Sequence, residues 1–258
     1  MGTMAMTTPE RDIMGGLAKG LAVIETFTAE RPRQSISEAA AACGLDRATT
    51  RRCLLTLAHQ GYADYDGKYF TLTPRVLRLG TGCLAAMPLP RLIQPMLDRL
   101  SDEIGESTSV SVLDGSEIVY VARAAQRKVM SIGLMPGSRL PAYCTSMGRV
   151  LLAALPEAGA RLLLGPAPLP ARTPATLTDP DEIMAELARV RAQGYAVIDQ
   201  EVETGLRSIA VPLHNVHGHT IAALNSGVSA AQIGVADIVG RFLPALNRVS
   251  QEIRQFLK

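Results

Sequence analysis

Only four cysteines stand in the 258 residues, Cys43, Cys53, Cys83 and Cys144, and no two of them form a CxxC pair or a zinc-type spacing. That pattern excludes a disulfide framework, and free, mostly buried thiols in a reducing cytoplasm are the expectation. No apolar run approaches the roughly 18 residues needed to span a bilayer. The opening MGTMAMTTPERDIM lacks the apolar stretch of a signal peptide, and Met6 stands where a myristoylation signal wants Ser or Thr. Net charge is also scarce: 26 Lys/Arg against 24 Asp/Glu leave +2, too little to name a partner. No internal repeat is visible. What is present is a globular composition, 47% apolar and 19% charged. At roughly 100–200 residues per domain, the length allows one large domain or two ordinary ones.

The charge is unevenly placed. Residues 1–90 hold ten Lys/Arg and eight Asp/Glu, whereas residues 91–258 hold sixteen of each. Between positions 31 and 55 five arginines face only Glu38 and Asp46, a hint of a nucleic-acid module.

Helical spacing of Leu17, Leu21, Ile24 and Phe27 predicts a first helix over 16–28, ended at Arg31-Pro32-Arg33. Ser35 followed by Glu38 fits a capping box, opening a short Ala-rich helix (38–42) that stops at Cys43-Gly44. Asp46 caps a third helix, 47–60. A short helix, a glycine turn and a longer helix make a helix-turn-helix pattern. Thr50, Cys53, Leu54 and Leu57 would pack inward, leaving Arg47, Ala48, Arg51 and Arg52 outward with Thr49 beside them. N-terminal residues of such a second helix read base edges, and Arg suits guanine. Three arginines on a helix face also serve simply to solvate it. The next residues favour DNA: strand-like 61–65 and 69–72, joined at Asp66-Gly67, form a hairpin with Lys68 at the tip of a wing. The candidate DNA contacts are Ser37, Arg47, Thr49, Arg51, Arg52 and Lys68.

Thr73-Pro74 opens a further helix, 75–86, and Met87-Pro88-Leu89-Pro90 closes the module. The expected division is a disordered tail (1–14), a winged helix-turn-helix (15–74), a linker helix (75–90) and a second domain (91–258). In the latter a helix (91–104) precedes strands at 107–113 and 116–123 with a turn at Asp114-Gly115. A strand at 129–134, a loop over 135–144 and a helix starting at Thr145-Ser146 follow. After a Pro-rich loop come a helix over 181–193, strands at 195–199, 206–213 and 220–226, and a helix over 235–257. This order points to α+β and not to a doubly wound parallel sheet.

The strings DRATTRRCLLTLAHQGYADYDGKYFTLTPRVLRLG, PGSRLPAYCTSMGRVLLAALP and GYAVIDQEVETGLRSIAVPL together resemble the IclR family of bacterial transcription regulators. The likeness covers roughly residues 15–257, and the last two strings are most similar to the branch controlling aromatic-acid breakdown through protocatechuate, muconate and β-ketoadipate. The resemblance implies a GAF-like α+β effector-binding domain after the winged helix, and a homodimer or dimer of dimers on palindromic double-stranded operator DNA. It also implies a small carboxylic-acid effector and no cofactor. By position it places the effector at Thr145, Ser146, Met147 and Gly148, with Ser208 and Asn225 on facing strands. Some members carry an acidic residue where this chain has Ile198, which makes the pocket more apolar and suits a larger or aromatic acid.

Physical chemistry supplies a separate argument for an acid. Free N–H groups in a helix's first turn form an anion site, Thr145 and Ser146 add hydroxyls, and Gly148 would let a ligand approach the backbone. The same two hydroxyls equally serve as an ordinary N-cap. Arg149 either contributes charge or turns to solvent. Three enzyme-like features compete. Cys144 beside a helix start could be a nucleophile in a GAF-like enzyme, but no His–Asp pair accompanies it. His214, His217 and His219 form an HxxHxH string, better read as a hairpin turn. Asp199, Glu201 and Glu203 alternate as an exposed edge or turn would. The expectation is a regulator and not an enzyme.

Overall fold

The computed structural model describes residues 12–28, 30–126 and 133–257. They fall into two compact units, meeting in sequence at Ala86 and Met87.

In the first unit α1 (Gly15–Glu25), α2 (Ile36–Cys43) and α3 (Arg47–His59) surround a core in which Val23, Leu54 and Phe70 are fully buried. Local chemistry sets the boundaries. Ser35 accepts from the Glu38 amide while the Glu38 carboxylate accepts from the Ser35 amide, so both halves of the capping box are made. Gly44 closes α2 in the left-handed conformation (φ 69°), and Asp46 Oδ1 accepts from the Thr49 amide at 2.8 Å to open α3. The short β1 (Arg33–Gln34), missing from the sequence reading, pairs with β3 (Phe70–Leu72), which also pairs with β2 (Ala63–Tyr65). The hairpin turn is shifted by one residue. Tyr65 pairs with Phe70 and the Asp66 amide donates to Tyr69 O, so Gly67 and Lys68 are the central pair, not Asp66 and Gly67. Gly67 takes φ 98° at the first central position, which a Cβ would oppose. After a 3₁₀ turn at Pro74–Val76, α4 (Leu77–Ala86) ends the unit.

The second unit is built on one sheet in the order β6-β5-β4-β9-β8-β7, with every neighbouring pair antiparallel. The strands are β4 (Ser107–Asp114), β5 (Glu117–Ala124), β6 (Arg139–Pro141), β7 (Ala196–Asp199), β8 (Leu206–His214) and β9 (Thr220–Ser229). The α+β class therefore holds. On one face pack α5 (Pro88–Ile104) and α9 (Val235–Arg254), burying Ile93, Leu97, Phe242 and Leu246. On the other pack α6 (Ser146–Ala153), α7 (Glu157–Leu164) and α8 (Pro180–Gln193), burying Met147, Leu152, Ile183 and Leu187. Among the described residues no single helix is long and apolar enough to cross a membrane.

Several expectations need correction. The linker helix over 75–90 is interrupted at Met87, and Pro88 opens α5, where a missing N–H costs nothing. Leu89 is then buried in the second unit's core. The Asp114-Gly115 turn repeats the one-residue shift, since Asp114 pairs with Glu117 and Gly115 takes φ 62°. Residues 139–141, read as loop, form β6, and α7 was missed. The strand expected over 129–134 falls mostly on residues 127–132, outside the described residues, and Gly133 and Leu134 are not in a strand. The tail expected over 1–14 is outside them as far as residue 11.

Candidate effector pocket and DNA-contact helix

On α3 the side chains of Arg47, Arg51 and Arg52 are exposed, and Ser37 is exposed in the first turn of α2. Thr49 departs from its expected place: it is turned inward, and its hydroxyl lies 3.4 Å from Arg52 Nη2. It steadies Arg52 and offers little surface of its own. At the wing, Asp66 Oδ1 accepts from the amides of Lys68 and Tyr69, and Asp66 Oδ2 pairs with Arg33 Nη2 at 2.5 Å. These donors hold the Asp66 carboxyl at a pKa of about 2. Arg33 also stacks 4.1 Å from the Tyr69 ring centroid, with Lys68 Nζ at 4.9 Å. The tip thus carries cations on a braced loop.

In the second unit a cavity of about 100 Å³ lies between the start of α6 and the sheet. One water needs roughly 10–15 Å³ on that measure, so a ligand of several heavy atoms fits. The sheet supplies a polar floor. Ser109 on β4 pairs with Arg123 on β5 and Asn225 on β9, while Ser208 on β8 pairs with Gly227 one pleat repeat along. Met147, Val202, Leu134 and Leu140 supply apolar walls. Of the expected effector residues, Thr145, Ser146, Met147, Ser208 and Asn225 all line this cavity. Ser146 Oγ and Ser208 Oγ are hydrogen-bonded at 2.8 Å across 62 residues of sequence. Thr145 Oγ1 accepts from the Gly148 amide at 3.1 Å, so this hydroxyl is spent on the ordinary N-cap.

Gly148 does not face the cavity. A Cβ there would meet Ala142 O at 2.1 Å and Thr145 Oγ1 at 2.5 Å, so the glycine lets α6 press onto the 3₁₀ turn Ala142–Cys144. Arg149 neither lines the cavity nor is solvated. It is buried, with Nη2 2.7 Å from Glu201 Oε2 and Nε donating to Tyr143 O at 3.0 Å. Glu201 is likewise no edge residue: it is buried, and desolvation raises its pKa against the pull of Arg149. Asp199 pairs with Arg207 at 2.5 Å, and Glu203 lines the cavity. Cys144 is fully buried and its thiol is pushed up to about 11 by desolvation, the reverse of an activated nucleophile. His214, His217 and His219 sit at the β8–β9 hairpin, where Asn215 Oδ1 accepts from the amides of His217 and His219.

Sequence reasoning missed Tyr120 and Arg123. Three positions apart, they belong on opposite faces of a regular strand. A β-bulge changes this: Val110 pairs with Ala122 and Ser111 with Tyr120, leaving Val121 as the extra residue. Val121 and Ala122 both join the α5/α9 core, and Arg123 is turned onto the cavity side with Tyr120. Arg123 is half-buried, donates to Ser109 Oγ at 3.0 Å and has no carboxylate partner among the described residues. Burial lowers its pKa, yet a guanidinium stays charged.

A winged helix-turn-helix joined to an α+β unit with a polar internal cavity defines a ligand-responsive DNA-binding regulator, not an enzyme. Residues 16–67 match the IclR helix-turn-helix domain and residues 81–255 the bacterial transcriptional regulator IclR C-terminal domain. The chain belongs to the IclR family of transcription regulators. A Pca regulon regulatory protein of Pseudomonas putida is 44% identical over 247 residues, 95% of this chain and 85% of that one. A p-hydroxybenzoate hydroxylase transcriptional activator of Acinetobacter baylyi is 37% identical over 251 residues, 95% of this chain and 93% of that one. An IclR homolog from Microbacterium hydrocarbonoxydans, solved with 4-hydroxybenzoate, matches with a TM-score of 0.71 at 28% identity, covering 93% of this chain and 99% of that one.

Proposed function

We propose that this regulator controls genes of aromatic-acid catabolism in the cytoplasm and answers a small carboxylic acid bound in the cavity of the second unit. The carrying observation is Arg123, a half-buried cation on the wall of that cavity with no carboxylate partner among the described residues. A buried charge is costly unless paired, and an anionic ligand supplies the pair. Thr145, Ser146, Met147, Ser208 and Asn225 line the ligand, and Gly148 shapes the helix that carries Ser146 and Met147 and is capped by Thr145. The names of the Pseudomonas and Acinetobacter relatives and the 4-hydroxybenzoate in the Microbacterium homolog support the aromatic class.

Arg47, Arg51, Arg52 and Ser37 form the major-groove surface, with Lys68 on a phosphate. One such unit reads few base pairs, so the working form is a homodimer, or a dimer of dimers, on half-sites about one helical turn apart. Leu17 and Leu21 on α1 and Leu77 and Leu79 on α4 are exposed apolar side chains suited to that contact.

The test is a thermal-shift and operator-binding series with 4-hydroxybenzoate and protocatechuate on wild type and Arg123→Met. A ligand bound only to the native state at a hundredfold excess over Kd stabilises by about 2.7 kcal/mol. We expect a shift in wild type and its loss in Arg123→Met. A wild type indifferent to both acids in melting and in DNA affinity would show the effector reading to be wrong.

A further inference from the structure

We propose that Gln94 and the β-bulge at Val121 form a latch that holds the second unit in its acid-free state, and that an acid drawing on Arg123 releases it. The latch presupposes the effector reading above and carries it from binding to response.

Successive positions of β5 serve both faces of the sheet. Tyr120 and Arg123 line the cavity, while Val121 and Ala122 lie in the core on the α5 and α9 side. Val121 is the extra residue of the bulge, without a partner on β4, and that gap in the ladder is where the strand yields most readily. On its own face Val121 borders a groove of about 430 Å³ together with Met87, Pro88, Leu89 and Pro90, so open space adjoins it. Those four residues carry the chain from the DNA-binding unit into α5.

Gln94, half-buried on α5, makes the direct tie. Its Nε2 donates to the Arg123 carbonyl at 3.0 Å and to Asp98 Oδ1 at 2.8 Å, so both its N–H groups are engaged. Beyond Arg123 the strand is pinned: the Gln126 amide donates to Ser107 Oγ at 3.0 Å and Gln126 Nε2 to Ser101 Oγ at 3.1 Å. Arg123 thus sits between a soft bulge and a fixed end, and Gln94 braces it from the helix. On the cavity side Arg123 Nη1 donates to Ser109 Oγ at 3.0 Å. A bound carboxylate offers the guanidinium an ionic acceptor, a stronger partner than a hydroxyl. Arg123 then moves toward the ligand, the bulge takes up the shift and the Gln94 bond breaks. A ligand shifts a two-state element only through unequal affinity for the two states, and a bond made in one state alone supplies that inequality. The freed helix begins at Pro88, directly after the DNA-binding unit, and Gln94 stands about two turns from that start.

The experiment uses the full chain and a DNA duplex selected by wild type from a random-sequence library. Calorimetry gives the affinity for 4-hydroxybenzoate and protocatechuate in wild type, Gln94→Met and Gln94→Glu. Fluorescence anisotropy gives the affinity for the duplex with and without saturating acid. Removing a bond peculiar to the acid-free state favours the other state, so Gln94→Met should bind the acid about two- to tenfold tighter, the range for one hydrogen bond. Its acid-free duplex affinity should move toward wild type's acid-saturated value, while its own saturated value stays within about twofold of wild type. Gln94→Glu sets a carboxylate against the Arg123 carbonyl and Asp98, and should shift both at least as far in the same direction. A side chain that only supports the fold would lower the melting temperature and leave acid affinity unchanged or weaker. That result in either variant overturns the latch and leaves the effector reading standing. So does a duplex affinity that moves away from the saturated value, or a wild type that binds the acid with no change in duplex affinity. A wild type indifferent to both acids in calorimetry and on DNA overturns the effector reading and the latch with it.

Discussion

Replacing Arg149 by Met leaves the Glu201 carboxylate buried without its counter-charge. The pair is made at 2.7 Å, with the two side chains 3% and 9% exposed, so solvent screens it little. Breaking such a pair from one side costs about 3–5 kcal/mol, because the survivor remains desolvated. The Leu177 amide, 3.1 Å from Glu201 Oε2, softens the loss without removing it. At roughly 2–4 °C per kcal/mol for a unit of this size, the transition should fall by about 6–20 °C. The pH dependence has a definite sign. Glu201's folded pKa already lies above its ordinary value, since desolvation exceeds the opposing pull of Arg149, and removing that pull raises it further. An acid whose folded pKa is raised loses stability as pH climbs from the unfolded value toward the folded one. The deficit of Arg149→Met is therefore greatest near pH 7 and shrinks as pH falls toward the ordinary glutamate range. Adding Glu201→Leu removes the stranded charge, so the double variant should recover most of the loss and lose the extra pH dependence. Calorimetric melting of the four proteins between pH 5 and 8 provides the check. A single variant within 1 kcal/mol of wild type, or a double variant as poor as the sum of its singles, would refute the argument.

Gly148→Ala gains up to about 1 kcal/mol of helix propensity but forces a Cβ to 2.1 Å from Ala142 O. Overpacking of about 1–3 kcal/mol or more should win and should displace Ser146, so both melting temperature and acid affinity fall; an unchanged melting temperature would contradict this. Asp66, held at about 2 by the amides of Tyr69 and Lys68 and by Arg33, lends stability that is complete above its unfolded pKa and is lost as pH falls through about 2. Asp66→Asn should flatten the acid limb of unfolding between about pH 4 and 2, and a limb identical to wild type would count against the brace. Arg47→Ala and Arg51→Ala should each cost about 1–3 kcal/mol on the cognate operator and relax its sequence preference. Lys68→Ala should weaken all DNA alike and lower the salt slope by about one, as titration of binding against salt would show.

The sequence by itself determined the helices and the hairpin of the DNA-binding unit to within a few residues, because their signals are local. Ser35 and Glu38 are one helical turn apart, Gly44 needs only its own missing Cβ, and Asp46 caps the amide three positions on. Periodicity also placed α5, α8, α9 and five of the six strands of the second sheet, and the family strings led to Thr145, Ser146, Ser208 and Asn225. What the tertiary structure alone decided lies across strands. Val121 becomes a bulge only through β4's register, and nothing in Val-Tyr-Val-Ala-Arg announces that Arg123 will turn inward. Residues 139–141 become β6 by pairing with β5, and Gly148's role depends on where Ala142 lies. Glu201 reads as one of three alternating surface carboxylates until Arg149, 52 positions earlier, is folded against it. Caps and helical spacing act over a few residues of backbone and so are written in short stretches of sequence. The charge and polarity of the pocket arise from groups that only the closed sheet brings together.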